Sequence, residues 1–110
     1  MSTEYPLKRF ESVDDAEAWE HGPGAFSWAV NTGGYRYIEF LYPDKTTGTI
    51  ELGSVPICPS WRNRACWEWN GDEDAPVLTP SLLTRKQDHK TKEFQEVFHG
   101  WIKGTVLEVL

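Results

Sequence analysis

Four residues of this chain are the candidate ligands for zinc or iron, namely Cys58, Cys66, His89 and His99. A metal site requires three or four such ligands to converge on one point. No pair among the four has the Cys-x-x-Cys or His-x-x-x-His spacing of a typical site, and His89 lies in a polar stretch typical of a loop. The pattern therefore predicts neither a metal nor another cofactor. A metal-binding module or metal-dependent enzyme that uses His99 with Cys58 or Cys66 is the alternative.

The chain lacks the common catalytic motifs. It contains no glycine-rich phosphate loop, no Gly-x-Ser-x-Gly elbow and no His-Glu-x-x-His helix. Glu68 lies in the aromatic segment, but strand alternation places it opposite Trp67 and Trp69, on the solvated face. Among the histidines, His99 has the most space around its side chain, because Gly100 follows it. Its ring either forms hydrogen bonds with backbone carbonyls, as a structural histidine would, or takes part in binding or chemistry. We therefore predict that the protein is not an enzyme.

Tryptophan is frequent, with six in 110 residues. Trp67 and Trp69 are separated by one residue and would share one face of a strand, so they would form one aromatic wall. Asn70-Gly71 predicts a tight turn after this wall, and Pro80-Ser81 an extended connection to the next strand. Exposed aromatic rings stack well on sugars, bases and peptides. The predicted binding residues are Trp67, Trp69, Asn70, Pro80, Ser81, His99 and Trp101.

Acidic residues outnumber basic residues by 17 to 11, which gives a net charge of −6. Phosphate backbones and anionic lipids repel such a chain, so we expect no nucleic-acid partner and no membrane partner. Part of the acidic excess lies near the N-terminus, where it forms either a solvated helix face or a surface for a basic partner. These residues are Glu11, Asp14, Asp15, Glu17 and Glu20.

The two cysteines are separated by seven residues, which makes a disulfide bond geometrically feasible. The N-terminus has no basic stretch followed by an apolar run, as a secretory signal would have. No apolar window is long enough to span a bilayer. We therefore expect a cytoplasmic protein with reduced thiols.

One short helix is predicted over residues 12–20. Ser12 can cap its first turn together with Asp15, three positions later. Gly22 is suited to ending the helix, because glycine adopts the left-handed conformation without strain. The buried face would consist of Val13, Ala16 and Trp19.

The rest of the chain alternates short strand patterns with turn residues. About seven strands in one domain, residues 1–110, favour a mainly β fold, either a small antiparallel sandwich or a partly open barrel. A bulge is expected at Gly53-Ser54. Open strand edges are suited to pairing two copies as a homodimer. The predicted strands are residues 26–31, 35–42, 49–52 with 55–57, 65–69, 82–85, 94–102 and 105–110.

Three motifs resemble those of a family of small, uncharacterised phage and bacterial proteins. They are Trp67-x-Trp69-Asn70-Gly71, Pro76-x-Leu78-x-Pro80-Ser81-Leu82 and His99-Gly100-Trp101-Ile102. Some members carry additional Cys and His residues around these motifs, which implies metal binding in those members. This chain has only Cys58 where a pair would stand, and Phe98 where a cysteine can precede the histidine. The resemblance implies a phage or prophage origin and a cytoplasmic location in the bacterial host cell.

From these observations we predict a phage-derived accessory protein that acts by non-catalytic binding. Its partner would be a host or phage protein, for example a component of a host defence system, and its aromatic and acidic surfaces would make the contact. The first alternative is the metal-dependent module described above. The second is a protein that stacks a carbohydrate or nucleotide on Trp67 and Trp69.

Overall fold

The computed structural model of the chain describes residues 2–60, 62 and 64–110. The described residues form ten strands and one short helix. In chain order these are β1 (Thr3–Pro6), β2 (Lys8–Arg9), α1 (Ala16–His21), β3 (Ala25–Val30), β4 (Arg36–Pro43), β5 (Ile50–Pro56), β6 (Glu68–Trp69), β7 (Leu78–Thr79), β8 (Leu82–Gln87), β9 (Phe94–Ile102) and β10 (Val106–Val109).

The strands form three sheets. One four-stranded sheet has the order β1-β10-β9-β8, the other has the order β2-β3-β4-β5, and β6 and β7 form a two-stranded sheet. The pairs are antiparallel except for β2 and β3, which run parallel. Within the described residues no sheet closes into a barrel, and β5 and β8 each lie at the end of a sheet. The prediction of a mainly β fold with one short N-terminal helix is confirmed.

The main hydrophobic core combines residues of the two four-stranded sheets. The rings of Phe40, Tyr42 and Phe98 lie at its centre, with centroids 4.9 to 5.8 Å apart and tilted planes. Such arrangements suit the quadrupoles of aromatic rings. A smaller cluster lies beside the helix and joins it to β3 and β4; its members are Val13, Ala18, Ala25 and Leu41.

The helix is shorter than predicted. It begins at Ala16 instead of residue 12, because Asp15 adopts an extended conformation (ψ 139°) and serves as the N-cap residue without a side-chain hydrogen bond. The hydroxyl of Ser12 instead accepts the N–H of Asp14 at 3.1 Å. The predicted pairing of Ser12 with Asp15 as a side-chain cap is therefore wrong.

The buried face of the helix also differs from the prediction. Ala18 is fully buried, whereas Ala16 is exposed and Trp19 is 40% exposed. Gly22 ends the helix with a φ of 79°, as its residue type predicted. No helix among the described residues is long and apolar enough to cross a membrane.

The bulge lies in a different strand from the one predicted. β5 runs unbroken and pairs with β4 residue by residue through Gly53 and Ser54. Gly53 is needed there for space, since a Cβ atom would lie 2.9 Å from the ring of Phe40. The register shift occurs instead where β8 passes β9. The bounds of β9 agree with the prediction, whereas β1 and β2 were not predicted.

A buried carboxylate links the turn after β4 to β8. Oδ1 of Asp44 accepts the N–H and hydroxyl of Thr46 at 2.8 and 2.6 Å and the N–H of Thr47 at 3.3 Å. Its Oδ2 accepts a hydrogen bond from Nζ of Lys86 at 3.2 Å. The hydroxyl of Thr46 is the main cause that lowers the pKa of Asp44 from 3.8 to about 2. This network fixes the far end of β8.

We predict that Asp44→Asn lowers the free energy of unfolding at pH 7 by about 1–3 kcal/mol, because buried, charge-assisted hydrogen bonds weaken. The ionised form of Asp44 stabilises the fold above its unfolded pKa. This contribution therefore disappears as pH falls from 3.8 toward about 2. Urea unfolding at several pH values should show a decline in the wild-type protein across this range.

Asp14→Asn is the matched control, because Asp14 is exposed. Its free energy of unfolding should stay within about 0.5 kcal/mol of the wild-type value at pH 7. A curve of stability against pH that is the same for Asp44→Asn and for the wild type would contradict the role of Asp44.

Candidate active site

Ser81 and His99 lie side by side at one end of the β8–β9 hairpin. Leu82 pairs with Gly100 and Leu83 pairs with His99, so the residue just before β8 reaches the same end of the hairpin. Oγ of Ser81 lies 3.2 Å from Nε2 of His99, which is hydrogen-bond distance for these atoms. Among the described residues, no other serine hydroxyl is within hydrogen-bond distance of a histidine ring.

Glu96 joins this pair because β9 is bulged. Regular alternation would place residues three apart on opposite faces of a strand. The register against β8 skips Val97, so Val97 and Phe98 are both buried and Glu96 reaches the side of His99. Oε1 of Glu96 lies 3.9 Å from Nδ1 of His99, longer than a hydrogen bond but close enough for charge attraction.

Lys45 holds both the bulge and the carboxylate. Its backbone N–H donates to the carbonyl of Val97 at 2.9 Å, and its Nζ donates to Oε2 of Glu96. The hydrogen bond from Nζ is the main cause that lowers the pKa of Glu96 from 4.5. Glu96 is therefore a carboxylate at neutral pH, placed beside the imidazole of His99. We call these residues the Ser81–His99–Glu96 cluster.

Two tryptophans flank the cluster. Nε1 of Trp67 donates to the carbonyl of Ser81 at 3.3 Å, which anchors the backbone of the serine. The ring of Trp101 lies beside the imidazole of His99, with centroids 5.4 Å apart. Gly100 allows β10 to approach here, since a Cβ atom would lie 2.1 Å from a carbonyl oxygen of that strand. The structure thus brings together four of the seven predicted binding residues, Trp67, Ser81, His99 and Trp101.

The other predicted binding residues take different positions. Pro80 is exposed and directly precedes Ser81. Asn70 ties a loop together, because its Oδ1 accepts the N–H of Val77 at 3.0 Å and its Nδ2 donates to the carbonyl of Ala75 at 3.2 Å. Trp69 contacts Trp28 and Arg36, whereas Trp67 donates to the carbonyl of Ser81, and both tryptophans pack against the main core. These binding assignments remain predictions.

Arg36 organises the surroundings of Trp69. Its guanidinium carbon lies 4.5 Å from the ring centroid of Trp28 and 4.6 Å from that of Trp69, whose rings also contact each other. The guanidinium also forms an ion pair with Glu73 and is the main cause that lowers the pKa of that carboxyl group. Arg9 pairs with the same acidic loop, at 3.3 Å from Glu73. We call this the Trp28–Arg36–Trp69 cluster.

The two cysteines are oxidised, whereas reduced thiols were expected. Cys58 and Cys66 form a disulfide bond with their Cα atoms 5.0 Å apart, so the prediction of reduced thiols is wrong. Bonded sulfurs are not available as thiolate ligands to a metal held by His99. His89 is exposed in the loop between β8 and β9. Within the described part of the chain, no three His, Cys, Asp or Glu residues are grouped as a metal site.

Sequence reasoning did not place Ser81 or Glu96 beside His99. Ser81 was assigned to an extended connection at the edge of a binding pocket, and no glycine-flanked elbow singled it out. Extending the predicted hairpin to residue 81 would have placed the serine near His99. Glu96 had one signal, the consecutive apolar pair Val97-Phe98 in a strand, which is compatible with a bulge.

One comparison with known proteins gave a match. A family model described as "BubE: Bacterial ubiquitination-like system serine protease (BubE)" matches residues 20–110. Neither the curated proteins nor the solved structures gave a significant match.

The family match overturns three predictions. The resemblance to an uncharacterised phage family was wrong, since the matching family has a described activity. The predicted function, a non-catalytic accessory protein, is contradicted, together with its metal-module and aromatic-platform alternatives. The prediction that the protein is not an enzyme is also contradicted, because the matching family is described as a serine protease.

We predict that Arg36→Lys lowers the free energy of unfolding by about 1–2 kcal/mol, because an ammonium group cannot stack its plane on two indole rings. Trp28 and Trp69 should become more mobile and more hydrated. Thermal unfolding and the wavelength of tryptophan emission measure the two effects.

Arg9→Lys is the matched control, since it keeps the charge beside the same acidic loop. The ion pairs of Arg9 are partly exposed, so its replacement should cost less than about 0.5 kcal/mol. Equal losses in the two variants would show that the stacking of Arg36 on the indole rings does not stabilise the Trp28–Arg36–Trp69 cluster.

Proposed function

The chain belongs to the BubE family, and from that premise we propose that it is a serine protease with Ser81 as its nucleophile. His99 is the general base, and Glu96 positions His99. The observation that carries the proposal is the 3.2 Å contact between Oγ of Ser81 and Nε2 of His99. A hydroxyl is a weak nucleophile until a neighbouring base removes its proton, and this geometry supplies that base.

The reaction begins when Oγ of Ser81 attacks the carbonyl carbon of an amide bond. The hydroxyl proton passes to Nε2 of His99, and the carbonyl becomes a tetrahedral oxyanion. As the C–N bond breaks, His99 returns the proton to the departing amine. An acyl group then remains on Ser81.

Water completes the cycle. His99 takes a proton from the water molecule, whose oxygen attacks the acyl carbon. When the ester bond to Ser81 breaks, the proton passes from His99 to Oγ, and a carboxylic acid leaves. The enzyme is restored, and the net change is hydrolysis of one amide bond.

Glu96 supports this cycle through His99. Its negative charge faces Nδ1, which favours the tautomer with hydrogen on Nδ1 and leaves Nε2 free to accept the serine proton. The same charge attracts the imidazolium that forms during the reaction. The separation of 3.9 Å must shorten for a direct hydrogen bond, as is common between apo and reacting states.

The family description supports a polypeptide substrate that belongs to a bacterial ubiquitination-like system. We propose that the chain hydrolyses an amide bond in such a polypeptide. The cytoplasmic location, the protein partner, the homodimer and the absence of nucleic-acid and membrane partners stay predictions.

We predict that Ser81→Ala prevents covalent labelling by a small fluorophosphonate, a reagent that modifies activated serines, and lowers amide hydrolysis by roughly 10⁴-fold or more. Intact mass spectrometry should show one adduct on the wild-type chain and none on the variant. Ser12→Ala is the control, because the hydroxyl of Ser12 accepts the backbone N–H of Asp14 and lies outside the Ser81–His99–Glu96 cluster. An adduct on Ser81→Ala equal to that of the wild type would reject Ser81 as the nucleophile.

We predict that Glu96→Gln slows labelling by about ten- to a hundredfold, because a neutral amide attracts the imidazolium less. A Glu96→Gln variant that is labelled at the wild-type rate would contradict the role of Glu96 beside His99. Glu93→Gln, in the loop before β9, is the control and should match the wild type in rate.

A further inference from the structure

β8 carries an open edge directly after Ser81. It is the last strand of its sheet, and within the described residues no strand pairs with its outer side. The first residues of β8 are uncharged, and Leu83 is 45% exposed. Open strand edges present main-chain groups that can pair with another extended chain.

The hydrogen bonds of β9 show which main-chain groups of β8 face this edge. The N–H of Leu110 donates to the carbonyl of His99 at 2.9 Å, so the main chain of His99 points to the β10 side. Leu83 is the residue opposite His99 on β8. Because groups in an antiparallel pair point alternately toward and away from the partner strand, the N–H and C=O of Leu83 point away from β9. These two groups therefore face the open edge, two residues after Ser81.

A narrow cleft lies along this edge, between β8 and β5. β8 contributes Leu82, Leu83 and Thr84, and the other lining residues are Phe40, Gly53, Ser54, Val55 and Trp67. Trp67 connects the cleft to the cluster, since it also donates to the carbonyl of Ser81. The cleft has a volume of about 70 Å³, little more than twice that of one water molecule in the liquid. It is too small to enclose a strand, so a bound chain would lie along the outer edge of β8.

Ion pairs of Lys86 connect the far end of β8 to neighbouring segments. Nζ of Lys86 lies 3.2 Å from Oδ2 of Asp44 and 3.7 Å from Oε1 of Glu51, a residue of β5. These contacts join the two edges at that end. The open part of the edge is consequently the part beside Ser81.

We propose that an extended segment of the substrate polypeptide adds to β8 as a further strand, through main-chain hydrogen bonds to the N–H and C=O of Leu83. This inference rests on the proposed function and names how the substrate is held. The occupant is an extended polypeptide because the exposed groups are one main-chain donor and one main-chain acceptor, which match a peptide backbone of any sequence. Pairing at this edge brings the substrate main chain to within two residues of Oγ of Ser81.

The test compares two reagents that react with Ser81. One is an alanine tripeptide ending in a diphenyl phosphonate, and the other is the same compound with its amide nitrogens methylated, which removes its donors. The wild-type protein should react at least about tenfold faster with the unmethylated reagent, the effect of losing a main-chain hydrogen bond. Equal rates with the two reagents would overturn the proposal.

Leu83→Pro tests the protein side. Proline removes the outward N–H, while the ladder with β9 does not use that group. Leu83→Pro should react more slowly than the wild type with both phosphonates, because each reagent keeps the main-chain carbonyl that would accept the N–H of Leu83. Wild-type rates for Leu83→Pro with both phosphonates would overturn the proposal. Leu52→Pro is the control, because the pairing of β5 with β4 also leaves the N–H of Leu52 outside the ladder, and Leu52 does not line the cleft. It should react with both phosphonates at the wild-type rates.

A small fluorophosphonate separates this inference from the proposed function. It needs only an activated serine, so Leu83→Pro and Leu52→Pro should be labelled at the wild-type rate if both are folded. Labelling of the wild-type protein together with equal rates for the two phosphonates would overturn strand addition alone. Absence of labelling at Ser81 would overturn the proposed function and this inference together. If Leu83→Pro fails to fold, the pair of phosphonates on the wild-type protein still decides the proposal.

Discussion

The register of β8 against β9 is the constraint on which the candidate active site depends. Phe98 and Ile102 are fully buried on one face of β9, and this burial holds His99 on the other face. A slip of one residue would move the imidazole into the core and expose the phenylalanine, at a cost of several kcal/mol of apolar burial. The core therefore fixes the position of the imidazole, and the same register brings Ser81 to it.

The bulge at Val97 modifies this register at one point. It allows two consecutive side chains, Val97 and Phe98, to enter the core, and it turns Glu96 toward His99. Lys45 binds both the bulged carbonyl and the carboxylate of Glu96. The lysine thus keeps Glu96 ionised and in place, but it also competes with the imidazole for the carboxylate. This competition is consistent with the 3.9 Å separation between Glu96 and His99.

The general architecture was predictable from the sequence because strand periodicity and turn residues are local signals. The limits of β9 and the glycine at the end of the helix are examples. The arrangement of the candidate active site was not predictable, since Ser81 and His99 are 18 positions apart and become neighbours only through strand pairing. The position of Glu96 depends on a bulge, and strand alternation alone predicts the opposite face. The spacing of Cys58 and Cys66 correctly indicated that a disulfide bond is feasible. Reduced thiols were nevertheless predicted, because a cytoplasmic location was expected.

The charge distribution along β8 connects the site to the stability of the sheet edge. Open edges promote aggregation, and charged side chains are a common protection against it. Arg85 and Lys86 provide that protection in the second half of β8, where Lys86 is also tied to the buried Asp44. The first half, next to Ser81, has no charged side chain. The segment without this protection is therefore the one on which a substrate backbone would have to pair, and the charged half limits where any extended chain can bind.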